Sequence, residues 1–209
     1  MRLFVDTSSV AEVEQIAPWG VLSGARTSRA SLRAAGAADP DAEIVQLADL
    51  LDATVTVLLD GDDPERLIEQ GLELEQLHEH AVAALPCTPA GLEAASELEA
   101  QELAVEVAHV FSAAQALLAA EAGAALVSTE LSPLEAAAID AGETLQAMIE
   151  SLHTGETTAQ VLAGGISSPQ QVVLAARLGA ENAAVPAAVL RRMLAHPLTG
   201  AAMERARTR

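Results

Sequence analysis

Eight times along the chain, a short apolar run gives way to a longer stretch of helical periodicity. The runs are RLFVD (2–6), GVLSGART (20–27), ATVTVLL (53–59), HAVAAL (80–85), LAVEVAHV (103–110), AALVS (124–128), AQVLAG (159–164) and ENAAVP (181–186). The stretches between them, such as 38–51 and 62–77, carry Asp, Ser or Thr at or next to their first residue and often Pro in the first turn; two of them close on Gly123 and Gly179. Those are helix start and stop signals. A single long helical stretch is expected from the end of the sixth run to about 153. Strands joined through helices run parallel, with right-handed crossovers. Eight such units predict a (β/α)8 barrel, with a doubly wound open sheet as the alternative. No G-x-G-x-x-G follows the first run, which weakens a dinucleotide reading. The 209 residues are compact for such a barrel and are read as one domain, 1–209.

Charge narrows the partners. Thirty acidic residues stand against eleven basic ones, every one an arginine, for a formal charge of −19. That balance argues against nucleic acid and against an anionic membrane. It fits a high-GC coding bias, a salt-adapted surface or an artificial sequence. Half of the residues are hydrophobic (51%), which argues against disorder. No apolar run approaches the length of a membrane span, and the opening turns acidic at Asp6 too soon for a signal peptide, so a cytoplasmic protein is expected. Cys87 is the single cysteine, which leaves no internal disulfide and no cysteine-based zinc site.

Several residues invite a chemical role. Asp6 ends the first strand, where barrel enzymes keep catalytic groups; it reads either as a general acid/base or as a cap for the turn at Thr7, Ser8 or Ser9. In AGGISSPQQVV (163–173), Gly164 and Gly165 let backbone approach a ligand. Ser167 and Ser168 then open a helix whose free N–H groups suit a phosphate, or they simply cap it. His109 is expected to face the helices. His78 and His80 lack a third converging ligand, so no metal is expected. Cys87 follows the fourth strand, but no base partner for it is evident. No cofactor is expected.

The order of segments resembles the transaldolase family, in particular its short branch that includes fructose-6-phosphate aldolase. The likeness rests on FVDTSSV (4–10), GVLSGARTSRASL (20–32), VFSAAQALLAAEAGAALVS (110–128) and HPLTGAAMERA (196–206). In that family a lysine before the P-x-T turn forms a Schiff base with the sugar ketone. Here the turn is Pro86-Cys87-Thr88, the lysine position is Ala84, and the chain contains no lysine at all. The resemblance sets further family positions at Ser28 and Arg29, Val57, Ala108, Leu126 and Pro133, all changed in type. It also sets a serine at Gly165 and a basic residue at Ser167. Only Asp6 survives among the residues it carries over. With Ser28 and Ala108 inward, strand alternation turns Arg26 and Glu106 inward as well, to meet inside the barrel near Asp6 as an anion or substrate clamp or as a structural ion pair.

Three readings follow. The first is a transaldolase-like barrel without aldolase activity: a pseudoenzyme or a redesigned scaffold. The second is a lysine-independent enzyme or binder for a small phosphorylated metabolite, using Asp6, Glu106 and the 163–168 loop. The third is a structural or interaction subunit. The resemblance also implies a homo-oligomer, with a tail made basic by Arg205, Arg207 and Arg209.

Overall fold

In the computed structural model, which describes residues 1–155 and 157–208, the alternation resolves into a closed barrel of eight parallel strands. They are β1 (Arg2–Asp6), β2 (Leu22–Ser28), β3 (Val55–Leu58), β4 (Ala81–Pro86), β5 (Val105–Ala108), β6 (Leu126–Glu130), β7 (Gln160–Gly164) and β8 (Asn182–Pro186), and β8 pairs back onto β1. All eight expected runs are strands, and the open-sheet alternative falls because the two edges meet. Among the described residues no helix is long and apolar enough to cross a membrane.

The helices are α1 (Val10–Ile16), α2 (Arg29–Ala34), α3 (Pro40–Leu51), α4 (Pro64–Leu77), α5 (Pro89–Glu99), α6 (Ala113–Glu121), α7 (Leu131–Ala136), α8 (Ala141–His153), α9 (Pro169–Leu178), α10 (Ala187–Leu194) and α11 (Pro197–Arg207). Short polar side chains start many of them. The Asp39, Asp63, Thr88, Ser112 and Ser168 side chains each accept an N–H of the first turn, an arrangement that contributes about 1 kcal/mol per cap. The long helix expected before 153 is two. Ala138 takes a left-handed φ of 58°, and Asp140 accepts the Glu143 N–H at 2.9 Å to start α8 afresh. A 3-10 turn at Ala17–Trp19 leads from α1 towards β2.

Alternation along each strand divides the core in two. Val5, Val55, Val57, Leu85, Val107, Val127 and Val161 face outward. They pack with Ile16, Leu47, Leu74, Leu98 and Leu145 from the helices. Each fully buried side chain of this size contributes about 1.5–3 kcal/mol of transfer free energy. The inward set is smaller and more polar. Phe4, Leu162 and Ala184 form a separate buried cluster in the middle of the barrel. Beyond this plug lie two chambers: the mouth, at the carboxyl ends of the strands, and the floor, at their amino ends.

Candidate functional site at the barrel mouth

The mouth is built from β1, β2, β5 and β6. Arg26, buried on β2, reaches Glu106 on β5, with Nε 3.4 Å from Oε1. Its Nη1 donates to Glu130 Oε1 at the end of β6. Ser128, two residues earlier on β6, donates its hydroxyl to Glu106 Oε1 at 2.6 Å. Arg26 and Glu106 therefore meet inside the barrel, as strand alternation requires. In the register, Asp6 pairs with Arg26, and Ala84 pairs with Glu106. In the barrel order β3 and β4 lie between the two strands that the Arg26–Glu106 pair joins. Ala84 is fully buried, and the outer core contains its neighbours Ala83 and Leu85 but not Ala84 itself.

Three carboxylates surround one guanidinium. Burial pushes the Asp6 carboxyl up to about 6; Arg26 opposes that rise, and Glu130 and Glu106 reinforce it. For Arg26, burial works to lower the pKa, but Glu106, Glu130 and Asp6 outweigh it and keep the guanidinium charged. Glu106 is completely buried, and its Oε2 has no hydrogen-bond partner among the described residues. Such a group persists only with a counter-charge close by, which Arg26 supplies.

Glu130 is the functional-site candidate that sequence reading missed. The sixth run is expected to end at Ser128, with helix following it; the strand instead continues two residues to Glu130. Gly164 and Gly165 are explained by the same ion pair. A Cβ on Gly164 would sit 2.6 Å from Arg26 Nη1 and 3.0 Å from Glu130 Oε1. Gly165 has φ +57°, and a Cβ there would lie 2.7 Å from Glu130 Oε2. Their close neighbour is thus Glu130 of the same chain.

The serines behind these glycines are also engaged. Gln171 Oε1 accepts the Ser167 N–H at 2.7 Å, the Ser168 N–H at 3.2 Å and the Ser167 hydroxyl at 3.1 Å. Ser168 Oγ accepts the Gln171 N–H, completing a capping box. The amides expected to be free for phosphate are therefore occupied by a side-chain oxygen. Gln171 Nε2 donates in turn to Glu135 Oε2 at 2.9 Å. Outside this loop a groove of about 600 Å³ is lined by Glu135, Ser167, Ser168, Gln171 and Arg177. Ser28 is likewise a cap: its Oγ accepts the Ser31 N–H at 2.9 Å to start α2.

Other expectations change. The first helix is capped by Ser9 and its turn by Thr7 Oγ1, which accepts the Ser9 N–H at 3.1 Å, so Asp6 is not the cap. Val57 and Leu126, set by the resemblance at family site positions, do not face the mouth. Val57 packs in the outer core, and the inward residue beside it is Thr56, in register with Arg26. A shift of one residue in a strand exchanges the faces. Leu126 begins β6 and lines a cavity at the floor. His109 lies past the end of β5 with φ 59°, which breaks the alternation used to orient it. His78 and His80 each pair with an aspartate, Asp49 at 3.4 Å and Asp52 at 3.3 Å. Among the described residues no group of three or more His, Cys, Asp or Glu side chains is placed to hold a metal ion. Burial pushes the Cys87 thiol up, away from the reactive thiolate.

Comparison with known proteins agrees with this architecture. Residues 3–208 match the family model for transaldolase/fructose-6-phosphate aldolase. A probable transaldolase of Thermus thermophilus is 35% identical over 213 residues, covering 98% of this chain and 96% of that protein. Probable transaldolases of Brevibacillus brevis (34%, covering 98% and 95%) and Desulforudis audaxviator (37%, covering 95% and 92%) are similar over the same extent. Among solved structures, a mandelate oxidase variant superposes with a TM-score of 0.61 at 15% identity, over 88% of this chain and 65% of that one, a likeness of fold alone. With the family model spanning nearly the whole chain and relatives above 30% identity along its length, the protein belongs to the transaldolase/fructose-6-phosphate aldolase family.

Proposed function

We propose that this chain is a transaldolase-family barrel without class I aldolase activity. The observation that carries the reading is Ala84, a buried methyl inside the barrel where the family resemblance sets the Schiff-base amine, in a chain with no lysine. Schiff-base chemistry needs a primary amine, because the iminium is the electron sink for carbon–carbon cleavage. The surroundings support the same reading. Asp6, Glu106 and Glu130 outnumber Arg26, so the dianion of a sugar phosphate meets repulsion at the mouth. The amides of the 167–168 loop are turned onto Gln171.

One observation favours the second reading, a lysine-independent enzyme or binder for a small phosphorylated metabolite. Asp6, with its carboxyl pushed up to about 6, can exchange a proton near neutral pH. Incubation with fructose 6-phosphate and borohydride separates the cases. Under the first reading the intact mass is unchanged and sugar phosphates leave the melting temperature where it was. A stoichiometric reduced adduct overturns it. A melting shift that disappears in Asp6→Asn supports the second reading instead. A cytoplasmic setting belongs to the same proposal: with Cys87 as the single cysteine, the fold depends on no internal disulfide.

Assembly follows from the tail. Every described residue from 192 to 208 is exposed, and α11 has no buried residue. Leu198 and Met203 are 69% and 55% exposed. A lone helix of this length is marginal in water, which supports docking on a neighbouring copy, as the family resemblance implies. Arg205 and Arg207 suit an acidic neighbour (Arg209 lies outside the described residues). Subunits at −19 each repel one another at low salt. We expect a weak oligomer that dissociates as ionic strength falls. Light scattering that shows a constant mass across a salt series contradicts this.

A further inference from the structure

A cavity of about 290 Å³ opens between the amino ends of the strands, lined by Arg2, Phe4, Ser23, Thr54, Leu126 and Gln160, among others. Arg2 is held in place by amides. Its Nε donates to Asn182 Oδ1 at 3.0 Å, and its Nη2 donates to Gln160 Oε1. Asn182 is fully buried and donates its Nδ2 to the same Gln160 oxygen at 3.2 Å and to the Val161 carbonyl at 3.4 Å. These partners are neutral. Among the described residues Arg2 makes no ion pair, in a chain where thirty acids face eleven arginines.

A guanidinium has five N–H donors, and two of Arg2's are used, so three remain. The neutral clamp orients the group while leaving its charge uncompensated. Ser23 and Thr54 line the same space together with the apolar Phe4, Val82 and Leu126. The Phe4–Leu162–Ala184 plug separates it from the mouth. A volume near 300 Å³ is at the low end of ligand pockets, which selects for a compact molecule.

We propose that the floor cavity binds a small organic monoanion: a carboxylate head on Arg2, with a compact apolar body against Phe4, Val82 and Leu126. A monoanion is favoured over a dianion, because a chain at −19 repels the second charge while the apolar lining residues reward a hydrocarbon body. This reading does not depend on the chemistry of the mouth.

Benzoate and inorganic phosphate are the probes, titrated into the full chain and followed by amide chemical shifts. The expected result is saturable benzoate binding with shifts at Ser23, Thr54 and Gln160 and none at Arg26 or Glu130. Arg2→Gln is expected to weaken it at least about ten-fold, the loss of a charge-assisted contact. Leu126→Phe, which fills the cavity and keeps Arg2, is expected to weaken it as well, with thermal unfolding confirming that both variants fold. No saturation by benzoate up to about 10 mM overturns the proposal. Unchanged affinity in Arg2→Gln overturns it too, as does binding of phosphate with benzoate excluded.

Discussion

At the mouth of the barrel one arginine, Arg26, is buried among carboxylates; at the floor another, Arg2, is exposed and held by amides. The two side chains are chemically identical, and what differs is access to water. Arg26 lies where an unpaired charge would be prohibitive, so its donors are met by Glu106 and Glu130. Arg2 lies where water can satisfy what the protein does not, so it can stand with donors to spare. Burial thus turns one arginine into a structural tie and leaves the other available.

The largest consequence is for stability. Arg26→Met leaves Glu106 buried with its counter-charge removed, and should destabilise the fold by about 3–5 kcal/mol, the range for breaking a buried pair from one side. Urea unfolding measures it. A loss below about 1 kcal/mol, the scale of an exposed pair, would break the contrast between the two ends.

The next effect is a pH dependence that belongs to the mouth. The Asp6 carboxyl is pushed up from 3.8 to about 6, so the folded chain holds this proton more tightly than the unfolded chain. The resulting stability is fully present below pH 3.8 and is lost as pH rises through about 6. Integrated over that window the change is at most about 3 kcal/mol. Asp6→Asn should remove this component and be the more stable protein at pH 8. Equal slopes for the two proteins between pH 4 and 6 would place the titration elsewhere.

The smallest effect is expected at the floor. Arg2→Gln exchanges an exposed cation for an amide beside other amides, and should change stability by no more than about 1 kcal/mol. A cost matching that of Arg26→Met would mean that Arg2 is a tie rather than an available donor.

Much of this was legible in the sequence. The eight strands announce themselves because a parallel strand is buried on both faces and reads as a continuous apolar run. The Arg26–Glu106 pair follows from alternation once one residue on each strand is oriented. Glu130 escaped because β6 runs two residues past Ser128, and the end of an element is where local signals are weakest. Val57 was set at a site position that strand alternation gives to Thr56, and in a strand an error of one residue changes the face. The capping role of Gln171 could have been read: Ser168-Pro-Gln-Gln171 is the Ser-x-x-Gln pattern of a capping box. The floor cavity could not, since Arg2, Leu126 and Gln160 are brought together only when the barrel closes.

The 3-10 turn before β2 has a consequence for spectroscopy. It holds Trp19, the only tryptophan of a chain that has no tyrosine. The indole is 39% exposed and sits three residues from Leu22, at the amino end of the strands. Emission excited near 280 nm therefore comes from a single fluorophore on the floor side of the barrel, with no tyrosine background. A fluorescence titration of this protein thus reports from a single probe at the amino end of the barrel, the end that also carries Arg2.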